Sequence, residues 1–162
     1  KLLTISKNIP NDLNQTDLST VTAIQENVLL PPDDSSADRW ISYGSQLYRI
    51  GKYSEAVVAF DRVINKNKDL LLSANYGKAL ALRSNKDYNN ALSAIDRAVE
   101  LVPATRQKDY YYLWKYQGIL LVLVGKYERA VQSFDTALKL DPTDLNLQEM
   151  RLVCLSMFQK QK

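Results

Sequence analysis

The chain has 162 residues, 46% of them apolar, enough for one domain with its own core, and five glycines and five prolines are too few for a disordered chain. A net charge of +3, with Lys and Arg interleaved among Asp and Glu, lacks the basic face of a dedicated nucleic-acid binder, so no nucleic-acid partner is expected. The sequence contains no histidine, which removes Ser-His and Cys-His nucleophilic pairs and His-ligated metals together.

In chain order, residues 1–36 form an N-terminal extension. Within it Leu18, Val21, Ile24 and Val28 recur at helical spacing, which predicts one amphipathic helix over residues 16–30. Pro31-Pro32-Asp33-Asp34-Ser35-Ser36 breaks that helix and links it to the rest of the chain. The extension is expected to cap the domain; lying in the protein's own groove, or leading to another domain, is the alternative.

Residues 37–142 repeat. Gly51 to Ile64 (GKYSEAVVAFDRVI) and Gly125 to Leu138 (GKYERAVQSFDTAL) share GKY, Ala-Val and Phe-Asp, and Lys86 to Val99 (KDYNNALSAIDRAV) keeps the tyrosine, alanine and Asp positions. The anchoring alanines Ala56, Ala91 and Ala130 are separated by 35 and 39 residues. Trp40 and Gly44 precede Gly51 at the offsets by which Trp114 and Gly118 precede Gly125, with Asn75 and Ala79 in the middle copy. Pro103 and Pro142 close the second and third copies. Ala56, Phe60, Val63 and Ala130, Phe134, Ala137 follow the i, i+4, i+7 spacing of one helical face. In phase with this pattern, the apolar run Gly118 to Gly125 (GILLVLVG) is the second half of a helix, although alone it reads equally as a strand.

Four extra residues fall in Ala104 to Tyr112, as an added helical turn with Thr105 as N-cap or as a longer loop. The last helix runs from Asp144 to about Gln159 and carries two apolar stripes, Leu147, Met150, Cys154, Met157 and Leu145, Leu152, Leu155. That is more apolar than a solvating end requires. Cys154, the single cysteine, reads as a buried inert thiol.

The recurring Trp, Gly, Gly-x-Tyr, Ala, Phe and Pro positions resemble the tetratricopeptide repeat, of bacterial type, in three copies at about 37–71, 72–105 and 111–144, with residues 143–162 as a C-terminal capping helix. The resemblance implies an all-α fold: antiparallel helix pairs, A then B, stacked into a right-handed α-solenoid. It also implies a protein-interaction module, scaffold or adaptor, that holds a partner peptide or helix in the concave groove between A helices. Carried over by position, that groove takes Ile41, Ser45, Tyr48 and Arg49 from the first copy. Tyr76, Leu80 and Arg83 come from the second, and Tyr112, Lys115, Ile119, Val122 and Leu123 from the third. Asp38, Ser73, Ser84, Glu149, Val153 and Met157 fall at flanking groove places.

One subclass of the family clamps chaperone C-terminal carboxylates with Lys, Asn and Arg. The matching places here are Ile41, Ser45, Gly77, Tyr112 and Tyr116, none of which fits, so no carboxylate-clamp chaperone binding is expected. The apolar third-copy residues are either core or exposed patch, and the alternative function is self-association, as a homodimer or docking domain, through that half of the groove. Asp61, Asp96 and Asp135 recur with the repeat and read as structural surface positions. No catalytic residue, metal or cofactor is expected, and the chain is not expected to be an enzyme. No apolar run approaches the ~20 residues that span a bilayer, so no membrane insertion is expected. Beginning at Lys1 without methionine, the sequence reads as trimmed, and the expected compartment is the cytoplasm.

Overall fold

A computed structural model describes residues 29–66 and 70–161. These residues hold seven α-helices, one 3-10 helix and no strand: α1 Ala37–Arg49, α2 Tyr53–Lys66, α3 Leu71–Ser84, α4 Tyr88–Glu100, the 3-10 helix Ala104–Tyr110, α5 Tyr111–Leu123, α6 Tyr127–Leu140 and α7 Leu145–Gln159. Each helix packs on its neighbours in the chain, and α1 also touches α3, the pattern of a helical-repeat superhelix. The helix expected over residues 16–30 lies outside the described residues except for Leu29 and Leu30, which are exposed and not helical.

The GKY motif is a turn with a fixed hydrogen-bond pattern. Lys52 N donates to Leu47 O at 2.9 Å, Asp87 N to Leu82 O at 2.9 Å, and Lys126 N to Leu121 O at 2.8 Å. This six-to-one bond satisfies carbonyls at the end of each A helix and requires one left-handed residue inside the turn. Gly51 (φ 81°) and Gly125 (φ 75°) supply it without strain, whereas the middle copy forces Lys86 to φ 63°. The tyrosine after the turn opens helix B in all three copies.

The small residues upstream decide how close A and B come. A Cβ on Gly44 would stand 3.0 Å from the Phe60 ring, and one on Gly118 would stand 2.3 Å from the Phe134 ring. Phe60 also meets α3, where a Cβ on Gly77 would lie 2.6 Å from the same ring. The anchoring alanines Ala56, Ala91 and Ala130 are fully buried beside these contacts. Two clusters result. One joins Trp40, Leu47, Phe60 and Val63 to Ala74 and Ala81, and the other runs from Ala79 through α4, α5 and α6 to Leu147 and Cys154.

The run Gly118 to Gly125 is explained by the second cluster. Helix α5 buries Leu113, Tyr116, Gly118, Ile119, Leu120, Leu121 and Val122, so it is enclosed on almost every side. A helix apolar all round belongs inside.

The recurring aspartates are ties between repeats. Asp61 accepts from Lys78 Nζ at 2.6 Å and Asp96 from Gln117 Nε2 at 2.7 Å, and Asp135 pairs with Arg151. Each partner stands one residue before the position of the small A-helix residue, so helix B of one copy is fastened to the same point of the next A helix. Lys115 is fastened similarly: its Nζ lies 2.7 Å from Asp144 Oδ2, while Asp144 Oδ1 accepts from Leu147 N at 2.9 Å and caps α7.

The four extra residues take a form between the two expected ones. Residues 104–110 make a 3-10 helix after Pro103, and α5 starts only at Tyr111, so Thr105 is not an N-cap. Helix α7 presents Leu147 and Cys154 to the core and leaves Leu145 and Leu152 exposed at 71% and 61%. Leu152 stands seven residues after the start of its helix, as Gly44 and Gly118 do in theirs. Burial pushes the Cys154 thiol up to about 11, which keeps it protonated and unreactive near neutral pH.

Because Phe134 is fully buried, Gly118→Ala cannot be absorbed by a simple ring shift. Overpacking costs about 1–3 kcal/mol, more than the ~1 kcal/mol of helix propensity that alanine regains. The variant is expected to lower the urea midpoint, and adding Phe134→Leu is expected to return part of the loss.

Candidate functional site: the cavity between the A helices

A cavity of about 300 Å³ opens between α1, α3 and the start of α5. Helix α1 contributes Ile41, Ser45, Tyr48 and Arg49, and α3 contributes Leu72, Ser73, Tyr76, Gly77 and Leu80. Tyr110 from the 3-10 helix and Tyr112 from α5 close one side, and Phe60 reaches the cavity from α2. Helical spacing explains the set: Ile41, Ser45 and Tyr48 share one face of α1, and Ser73, Tyr76, Gly77 and Leu80 share one face of α3. The lining is chiefly apolar and aromatic, and Arg49 is the one charged residue in it among the described residues.

Seven residues of the expected groove therefore meet at one place: Ile41, Ser45, Tyr48, Arg49, Tyr76, Leu80 and Tyr112. The other five lie elsewhere. Arg83, half-buried on α3, stands 5.4 Å from the Tyr116 ring centre. Lys115 is engaged by Asp144. Ile119 and Val122 are buried in the core cluster that includes Leu147 and Cys154, with Leu123 half-buried against it. The apolar third-copy stripe is thus core, because α5 is packed on more sides than α1.

Leu72, Gly77, Phe60 and Tyr110 line the cavity although they were not among the expected groove residues. Gly77 carried a usable signal, since a glycine inside a helix costs about 1 kcal/mol and usually has a packing reason. Here that reason is the Phe60 ring. Tyr110 depends on the conformation of the extra residues, which the repeat pattern does not specify.

The tyrosines support one another. Tyr76 sits edge-on to Tyr112 at 5.2 Å and to Tyr116 at 5.8 Å, and Tyr48 lies 5.6 Å from Tyr53. Ser84 Oγ lies 3.4 Å from the Tyr48 hydroxyl. Among the described residues, the Tyr116 hydroxyl is buried without a hydrogen-bond partner. Burial pushes its pKa up to about 12, with Arg83 working against the rise. Among the described residues no cluster of acidic, Cys or His side chains suits a metal, and no helix is long and apolar enough to cross a membrane.

The Tyr116 shift has a signed consequence. An unfolded tyrosine ionises near pH 10, so between about 10 and about 12 the folded chain holds more protons and loses stability as pH rises. Tyr116→Phe is expected to remove this group's share of the alkaline loss. At pH 7 it should change stability by less than about 1 kcal/mol, since the hydroxyl lacks a partner. Urea melts at pH 7, 10 and 11.5 measure both.

Two sequence profiles of the tetratricopeptide repeat match the chain, over residues 44–106 and 111–144. The chain is 29% identical over 115 residues to the STIP1 homolog of Dictyostelium discoideum, a match that covers 70% of this chain and 19% of that protein. It thus spans about a fifth of that relative's length. Among solved structures, the first TPR domain of Spaghetti (RPAP3) bound to an HSP90 peptide superposes with a TM-score of 0.67 at 19% identity, covering 76% of this chain and 93% of that one. The second TPR domain of human RPAP3, in complex with an HSP70 peptide, gives 0.64 at 21%, over 73% and 93%. MamA from Desulfovibrio magneticus RS-1 gives 0.61 at 20%, over 88% and 81%. At these identities the structural likeness shows the fold, and with the matching profiles it leads to one conclusion: the chain belongs to the tetratricopeptide repeat family.

Proposed function

We propose that this domain is a scaffold or adaptor module that binds a peptide or helix of a partner protein in the cavity between α1, α3 and α5. The observation that carries the reading is the cavity itself, about 300 Å³ of chiefly apolar and aromatic wall open to solvent in the middle of the A helices. Tyrosine and arginine there are residue types enriched where binding energy concentrates. The RPAP3 domains bind HSP90 and HSP70 peptides. In this chain Ile41, Ser45, Gly77 and Tyr112, at four of the carboxylate-clamp places, line an uncharged stretch of the wall, which supports a partner other than a chaperone tail. Catalysis has no support, and the protein is read as a non-enzyme acting in the cytoplasm.

Recovery of partners from a lysate of the source cells tests this. The triple variant Tyr48→Ala, Arg49→Ala, Arg83→Ala is expected to lose most of the partners that the wild type retains, while Val58→Ser, exposed on α2, keeps them. Equal recovery by the triple variant would sink the groove reading.

Self-association remains as a second reading, moved from α5 to α7. Its support is the exposure of Leu145, Leu152 and Val153 on that helix. Light scattering on concentrated protein is then expected to give a dimer mass that Leu152→Glu halves; a monomer mass for the wild type removes the reading.

A further inference from the structure

We infer that the cavity recognises an internal acidic segment of its partner: one bulky apolar side chain enters between Tyr48 and Tyr76, and neighbouring side-chain carboxylates meet Arg49 and Arg83. This rests on the groove reading and adds the partner's chemistry to it.

Two cations at this end of the A helices, one lining the cavity and one on the Tyr116 ring, have no carboxylate partner among the described residues. Among the described residues, ion pairs engage Lys78, Lys115 and Arg151 where one repeat meets the next and Arg62 with Asp33 of the turn before α1, while neither Arg49 nor Arg83 has a carboxylate within pairing distance. Arg49 is exposed and lines the cavity. Arg83 is half-buried, a placement in which an arginine ordinarily has a partner.

The two guanidinium groups belong to one edge. Arg49 ends α1, and Arg83 stands in the last turn of α3. Tyr48, next to Arg49, points its hydroxyl at Ser84, next to Arg83. At this edge lies Tyr116, itself 7% exposed, whose buried hydroxyl has no hydrogen-bond partner among the described residues, with Arg83 over its ring. A carboxylate held by Arg83 supplies an acceptor in reach of that edge and neutralises the one half-buried unpaired cation.

The opposite sign is scarce. At the groove places of α1, α3 and α5 the only carboxylate is Asp38, exposed in the first turn of α1, at the far end from Arg49. The one lysine there, Lys115, is already held by Asp144. An acidic segment therefore meets two available cations and little repulsion, and the dry wall beside them accepts an apolar anchor. A segment with internal carboxylates fits better than a chain terminus, because the two arginines offer two separate sites.

The test is a selection of random twelve-residue peptides, displayed without free C-termini, on the immobilised protein. Three comparators are used: Arg49→Gln with Arg83→Gln, the cavity-blocking Ser45→Trp, and Arg39→Gln as a charge control, each checked for an unchanged melting curve. Wild-type pools are expected to place Asp or Glu beside a Leu, Phe or Trp. The consensus peptide, made with an amidated end, should lose roughly tenfold in affinity on the double Gln variant, a change of about 1.4 kcal/mol, and lose all binding on Ser45→Trp. Its wild-type affinity should fall as salt rises, and this slope should flatten in the double variant. Pools without acidic residues, or equal affinity for the double variant, overturn the acidic partner while leaving the groove reading intact if Ser45→Trp still blocks. Pools indifferent to Ser45→Trp overturn both. A consensus peptide that binds only with a free terminal carboxylate overturns the internal segment.

Discussion

Everything in this domain depends on how near an aromatic ring lets two helices come. Phe60 lies against Gly44 of its own repeat and Gly77 of the next, and Phe134 lies against Gly118. A hydrogen in place of a methyl at these three points sets the separation of A from B and, at Gly77, of one repeat from its successor. Interiors packed to crystal-like density do not absorb an added carbon freely. The same missing side chain at Gly77 leaves Phe60 visible from the concave side, so the ring that sets the helix spacing also lines the cavity.

Charge plays a different part. The contacts Asp61–Lys78, Asp96–Gln117 and Asp135–Arg151 recur at matching points, yet they are partly exposed, and such pairs contribute little stability singly. Their worth is directional. The aromatic contacts set how near the helices come, and a polar contact at the same point of each interface adds a directional tie to the register. Lys115–Asp144 does the same for α7, with the helix cap built into it. These ties also leave Arg49 and Arg83 conspicuous, since the interfaces have used the other cations of α3 and α5.

How much of this was legible depended on whether a residue answers to the repeat or to its surroundings. The turns, the Ala and Phe positions and the enclosed helix at Gly118 to Gly125 follow from periodicity, because each copy meets the same local demand. Tyr48, Arg49, Tyr76 and Tyr112 reach the cavity for the same reason. Ile119, Val122 and Leu123 occupy equivalent places and end in or against the core, because α5 is flanked by a full repeat on one side and the apolar α7 on the other. Position in the array, which no single repeat encodes, decides that. Lys115 is engaged by a partner 29 residues away, a distance at which no local pattern speaks. The aspartates looked like surface decoration because their partners are written in the next copy.

The 3-10 segment Ala104–Tyr110 stands outside these constraints. Its first six residues are all exposed, it contributes nothing buried, and its last residue is a wall of the cavity. Substitutions there can recut the mouth of the site while the glycine–phenylalanine contacts and the aspartate ties stay untouched. This short segment thus shapes one side of the cavity without carrying any of the buried core.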